Sequence, residues 1–214
     1  MILQLFSTKG GVSKTTIAIN LAAEYLRQGF SVALVDGDRQ GSAHTWSQRR
    51  EQLDVKQPHS IQKTGRINKT LAELNEQYDF VIVDTGGFDS QEMRTGLMVA
   101  DIGIIPFRPS QMDLDVIPRL YELIEGAKDF NDGLQVYGLL SLAPTNVLNT
   151  EIKNAKQKLA DYPEIEMINT IIRDRKSFRD SIEYGASVIE MDDQKAKAEI
   201  QILASMIQKT META

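Results

Sequence analysis

An apolar run, Met1-Ile2-Leu3-Gln4-Leu5-Phe6, leads directly into Ser7-Thr8-Lys9-Gly10-Gly11-Val12-Ser13-Lys14-Thr15-Thr16. Apolar residues at helical spacing follow from Ile17 to Leu26. A strand, a glycine loop with a Lys-Thr pair and then a helix form the layout of a phosphate-binding loop. Backbone N–H groups of such a loop point at an anion, and the following helix brings its positive dipole end to the same place. Lys14 then supplies a point charge to the β/γ-phosphates, and Thr15 offers a hydroxyl to Mg²⁺. In isolation the stretch also reads as a plain glycine turn between a strand and a helix. Carboxylates further along the chain favour the phosphate reading.

The rest of the chain repeats the same alternation. Strands are expected at Ile2–Phe6, Ser31–Val35, Phe80–Val83, Ile102–Pro106, Val136–Leu142 and Glu166–Ile172. Helices are expected at about 14–28, 42–52, 66–77, 90–99, 113–129, 149–160 and 193–210. Several strands are continuous apolar runs, as suits a parallel sheet covered on both faces. The expected fold class is α/β: a doubly wound, mostly parallel sheet flanked by helices, with ligands at the carboxyl ends of its strands. The 214 residues suffice for one sizeable core, and no linker or repeat divides them, so residues 1–214 read as a single domain.

Composition narrows the function classes. No cysteine is present, which excludes disulfides, zinc–thiolate sites and iron–sulfur ligation. No run approaches the roughly 18 apolar residues of a membrane span, and no signal peptide is visible, so a cytoplasmic protein is expected. The net charge of −6 argues against a wholly basic nucleic-acid binder but leaves room for a local basic patch.

Two further segments carry carboxylates to the ends of expected strands. Val32-Ala33-Leu34-Val35-Asp36-Gly37-Asp38-Arg39-Gln40 places Asp36 and Asp38 at the ligand edge, where one can face Mg²⁺ and the other an attacking water. Asp84 ends the apolar strand in Tyr78-Asp79-Phe80-Val81-Ile82-Val83-Asp84-Thr85-Gly86-Gly87 and is placed to hold Mg²⁺. Either segment could be a polar turn; their order after the glycine loop favours chemistry. Asp79 reads as a turn residue, Trp46 as packing, and His44 and His59 as surface residues.

The spacing Lys-Gly-Gly-x-x-Lys-Thr-Thr, with Lys9 ahead of Lys14, resembles the deviant Walker A box of the ParA/MinD family of ATPases. Asp36-x-Asp38-x-Gln40 and the Walker B-like Asp84 follow in that family's order, as do the stretches around Ile171–Arg175 and Gly185–Val188. Two departures stand out: Ser13 occupies a glycine position, and Arg39 replaces a proline. Starting directly at its first strand, the chain is most similar to the short partition ATPases.

The resemblance implies ATP/ADP and Mg²⁺ as cofactors. Nucleotide would be held by Lys9, Gly10, Gly11, Val12, Ser13, Lys14, Thr15 and Thr16, and metal by Thr15, Asp36 and Asp84. Lys9, Lys14 and Asp38 would be catalytic, with Lys9 reaching the phosphates of a second copy in an ATP-dependent homodimer. Adenine contacts would come from Asn146, Arg173 and Asp174. Arg108, near the family's dimer face, is an interface candidate beside a plain loop reading. The cluster Arg173, Arg175, Lys176 and Arg179 would bind DNA without sequence preference, although it also reads as a solvated helix start. A ParB-like or other centromere-binding adaptor would stimulate hydrolysis, and the ATP-bound protein would associate with the nucleoid rather than a membrane. Alternatives are positioning of another cargo, such as a protein complex or microcompartment, and a metabolic ATP-dependent ligase or kinase.

Overall fold

The computed structural model describes residues 1–144 and 149–213. In chain order the strands are β1 (Ile2–Leu5), β2 (Val32–Asp36), β3 (His59–Gln62), β4 (Phe80–Asp84), β5 (Ile102–Phe107), β6 (Gln135–Ala143) and β7 (Glu166–Arg173). The helices are α1 (Lys14–Gln28), α2 (Ser42–Arg50), α3 (Asn68–Asn75), α4 (Gln91–Leu97), α5 (Gln111–Leu114), α6 (Ile117–Lys128), α7 (Asn149–Leu159), α8 (Lys176–Glu183) and α9 (Gln194–Thr213). A single 3₁₀ turn covers Val188–Glu190. The strands form one seven-stranded sheet in the order β3-β2-β4-β1-β5-β6-β7. Every pairing is parallel.

Alternate residues of each central strand feed two separate cores. Leu3, Leu5, Val32, Leu34, Phe80 and Ile82 face the layer of α1 and α9. Ile2, Phe6, Ala33, Val35, Val81 and Val83 face the layer carrying Leu71, Met93 and Leu120 of α3, α4 and α6. Both faces being covered is why these strands are apolar throughout rather than alternating.

The expected strands all form. β3 is an addition: its residues His59-Ser60-Ile61-Gln62 are exposed or half-buried at the sheet edge, so they carry no apolar run. The helix expected over 113–129 is instead two, α5 and α6, and Pro118 sits in the first turn of α6 where its missing N–H is harmless. The positively charged stretch after β7 is itself a helix, α8.

Candidate functional site

The order β2-β4-β1 brings three strand ends side by side. Asp36 pairs in register with Asp84, and Leu5 with Asp84 on the other side. The glycine loop leaves β1 and enters α1 at this edge. Arg108, just past β5, donates to the Gly11 carbonyl at 2.8 Å, and the Ser141 hydroxyl of β6 donates to the Val12 carbonyl at 3.0 Å. Both contacts hold the outer arm of the loop from the neighbouring strands.

Gly11 and Ser13 have φ of 71° and 70°. Ser13 is the residue before α1, and its side chain makes no capping hydrogen bond. The loop after β4 comes so close that a Cβ on Gly87 would lie 2.6 Å from the Gly10 Cα, so only glycine fits there. By contrast, nothing lies within 4 Å of a Cβ on Gly10, which faces open space.

Lys14 is only 7% exposed, and its Nζ donates to the Lys9 carbonyl at 3.1 Å. Burial pulls its ammonium below the ordinary lysine range, while Asp84 and Asp38 act in the opposite direction. The Thr15 hydroxyl donates to Asp84 Oδ2 at 2.6 Å. Asp84 is fully buried, which pushes its carboxyl up to about 7; the Thr15 hydrogen bond and the Lys14 charge oppose that shift, and Asp36 and Asp38 add to it. Burial also raises Asp36, opposed by backbone N–H groups; Asp38 N donates to its Oδ1 at 3.0 Å and His44 N to its Oδ2 at 2.9 Å. Asp38 is half-buried, with Gln40 N donating to its Oδ1 at 3.0 Å.

The arrangement fits a hydrated Mg²⁺. Asp84 Oδ1 is buried and has no hydrogen-bond partner, beside a Thr15 hydroxyl. A lone buried carboxylate oxygen is costly unless something else satisfies it. No cluster of three or more His, Cys, Asp or Glu among the described residues could hold a metal unaided. Mg²⁺ takes one or two carboxylates and completes its shell with phosphate oxygens and water.

Asn146 falls outside the described residues. Asp174 N donates to the Ala143 carbonyl at 3.0 Å, so the ends of β6 and β7 meet beside Pro144. Each member of the basic cluster has a carboxylate partner: Arg173 and Arg175 both reach Glu199, Lys176 pairs with Asp180, and Arg179 with Asp174. Trp46 is fully buried and donates to the Ala186 carbonyl at 2.8 Å. His59 is exposed, whereas His44 is half-buried beside Ser60. Asp79 ties strand starts together, accepting from Ser31 N and Oγ at 2.7 Å each. One site residue has no sequence signal. Asp113 of α5 is buried, and its Oδ1 lies 3.2 Å from Lys9 Nζ.

A parallel doubly wound sheet with this loop and these two carboxylates at its carboxyl edge defines a phosphate-loop nucleotide-binding protein. The family model for the CobQ/CobB/MinD/ParA nucleotide binding domain matches residues 3–197. The chain belongs to that family. It is 28% identical over 194 residues to the maintenance of carboxysome distribution protein A of Halothiobacillus neapolitanus, covering 88% of this chain and 87% of that protein. It is 24% identical over 186 residues to protein ParA of Rhizobium radiobacter, covering 86% and 83%. Among solved structures, apo McdA of Cyanothece superposes with a TM-score of 0.76 at 15% identity, covering 94% of this chain and 96% of that one, a likeness of fold. No helix among the described residues is long and apolar enough to cross a membrane.

Proposed function

We propose that the chain is a ParA-type ATPase that dimerises on ATP and uses its hydrolysis to distribute a cargo. One observation carries the reading: two lysines on one loop have different surroundings. Lys14 is buried and turned onto its own loop, as a ligand of the phosphates held in that loop must be. The Lys9 side chain is 32% exposed at the outer edge, beside the open face of Gly10. A second lysine placed there adds charge from outside the pocket, as an arginine finger does.

In the reaction Lys14 and the loop N–H groups hold the β- and γ-phosphates. Asp38 orients a water toward the γ-phosphorus. The water oxygen forms the new P–O bond, the bond to the β–γ bridging oxygen breaks, and ADP and inorganic phosphate leave. Lys9 of the second copy offsets charge that builds on the transferring group. Thr15, Asp84 and Asp36 would hold Mg²⁺, which when bound neutralises phosphate charge.

The test is phosphate release together with size exclusion in ATP and in ADP. Asp38→Ala retains ATP binding while turnover falls about 100-fold or more. Lys14→Ala and Lys9→Ala lose ATP-dependent dimerisation, hydrolysis or both. Wild-type rates and dimers in both lysine variants would refute the assignment. A small-molecule acceptor required for turnover would point to a metabolic enzyme instead.

The cargo has two readings. DNA partition is the reading the resemblance to the partition ATPases supports, in keeping with the similarity to protein ParA, and would require hydrolysis stimulated by nonspecific DNA and a centromere-binding adaptor. Positioning of a protein compartment is favoured by the similarity to the carboxysome distribution protein. Pull-down with the product of the adjacent gene separates them: a DNA-binding adaptor supports the first, a compartment protein the second.

A further inference from the structure

We infer that Glu92 is a positioning residue for hydrolysis: it closes a frame around the backbone from Asp36 to Asp38 and so sets where the Asp38 carboxylate stands. The inference rests on the reading of Asp38 as the residue that orients water, and adds what holds it. Glu92 lies in the first turn of α4 and is 7% exposed. Its Cβ packs on the loop after β2. A Cβ on Gly37 would lie 3.5 Å from the Glu92 Cβ and 3.2 Å from the Asp84 carbonyl oxygen, which leaves the loop little room toward α4. Gly37 N donates to that same carbonyl at 2.8 Å. The Glu92 carboxylate reaches further: its Oε1 accepts from Gly65 N at 2.6 Å.

Gly65 belongs to the segment after β3, and that segment holds the other side of the same loop. Gln62 Nε2 donates to the Asp38 carbonyl at 3.2 Å, and Lys63 N donates to the Asp36 carbonyl at 2.9 Å. The stretch Asp36–Asp38 is thus held between Gln62–Lys63 and Glu92, and the Gly65 contact joins the two sides. α4 is itself fixed to the strand that leads into the glycine loop, since Gln4 Nε2 of β1 donates to the Met93 carbonyl at 3.0 Å. Glu92 therefore sets Asp38 relative to the phosphate-binding loop. Burial works to raise the Glu92 carboxyl, but the N–H groups of Gly65 and of Glu92 itself, the Ser90 hydroxyl and the charge of Arg39 hold it below its ordinary value. Truncating the side chain strands the Gly65 N–H and opens the frame.

Displacing a reacting group by about 1 Å can cost about 100-fold in rate. Glu92→Ala is expected to lower kcat for phosphate release by about 10- to 100-fold, while the Kd for ATP in equilibrium dialysis changes by less than about twofold. Glu92→Gln keeps an oxygen for Gly65 N and is expected to retain about half of the wild-type kcat or more. With Asp38 already replaced, nothing is left to place, so Asp38→Ala/Glu92→Ala turns over no more slowly than Asp38→Ala in single-turnover phosphate release. Gln62 is exposed on the opposite side of the loop, and Gln62→Ala is expected to lower kcat about threefold at unchanged Kd. That variant decides the matter if Glu92→Ala fails to fold, and an unchanged kcat in it overturns the frame. So does a Glu92→Ala protein that loses thermal stability but keeps its kcat, a Kd that rises as kcat falls, a Glu92→Gln protein as slow as Glu92→Ala, or losses that multiply in the double variant. Wild-type turnover in Asp38→Ala overturns the role of Asp38, and the frame with it.

Discussion

At Ser13 the chain places a residue with a side chain where φ is 70°. A left-handed conformation costs an L-residue about 1–2 kcal/mol, and serine recovers none of it through capping here. Glycine adopts the conformation freely but loses more freedom on folding, about 0.5–1 kcal/mol. Ser13→Gly is therefore expected to stabilise the protein by roughly 0.5–1 kcal/mol, read as a higher urea midpoint at unchanged slope. A lower midpoint would mean that the Ser13 side chain holds the loop by a contact stronger than the strain. The position itself is recognisable in the sequence, because a glycine is expected beside the lysine. The dihedral that makes the departure matter is visible only in the fold.

Between elements, Arg50 of α2 pairs with Glu190 of the 3₁₀ turn. Arg50 NH2 lies 2.6 Å from Glu190 Oε1, and the guanidinium is buried over Trp46 with its carbon 5.1 Å from the ring centre. The segment Asp38–Gly41 feeds directly into α2, so this pair anchors the helix that follows it to the C-terminal part of the chain. Removing one partner of a buried pair typically costs 3–5 kcal/mol. Arg50 keeps carbonyl contacts to Lys56 and Gly185, and Glu190 is 27% exposed, which lowers the expectation. Glu190→Ala is expected to lose about 2–3 kcal/mol in denaturant unfolding, with Arg50→Met/Glu190→Leu losing less than the sum of its single variants. Additive losses would show that the pair contributes nothing as a pair. Neither residue announces this in sequence, because their contact is made by tertiary packing. The same distinction runs through the whole fold. Buried strands such as β4 are readable as apolar runs, and Lys14, Thr15, Asp36 and Asp84 as a motif in order. β3 is a polar edge, and Asp113 meets Lys9 only because β5 lies beside β1.

On the scale of the whole molecule the question is how a chain of net charge −6 could hold DNA. The cluster of positive residues after β7 divides by burial. The Arg175 side chain is 14% exposed and lies against Glu199 of α9, with Arg175 NH2 2.7 Å from Glu199 Oε1, so it secures α9 to the end of β7. Lys176 and Arg179 are 80% and 65% exposed on α8, with carboxylate partners Asp180 and Asp174 that are themselves on the surface. Exposed pairs of this kind are worth at most about 1 kcal/mol and open readily, so a phosphate can take the place of either carboxylate. DNA association, if the partition reading holds, therefore runs through Lys176 and Arg179. Each phosphate contact contributes nearly one unit to the slope of log affinity against log salt. Lys176→Ala/Arg179→Ala is expected to reduce that slope by about 2 for each chain engaged, with unchanged thermal stability. Arg175→Ala is expected to do the opposite: lower stability by about 1 kcal/mol or more, because Glu199 loses its closest cation, and leave the salt slope as it was. A salt titration of DNA binding in the ATP-bound state compares the two variants directly. A slope that moves with Arg175 and not with the α8 pair would place the DNA surface at the inner edge of α9 instead.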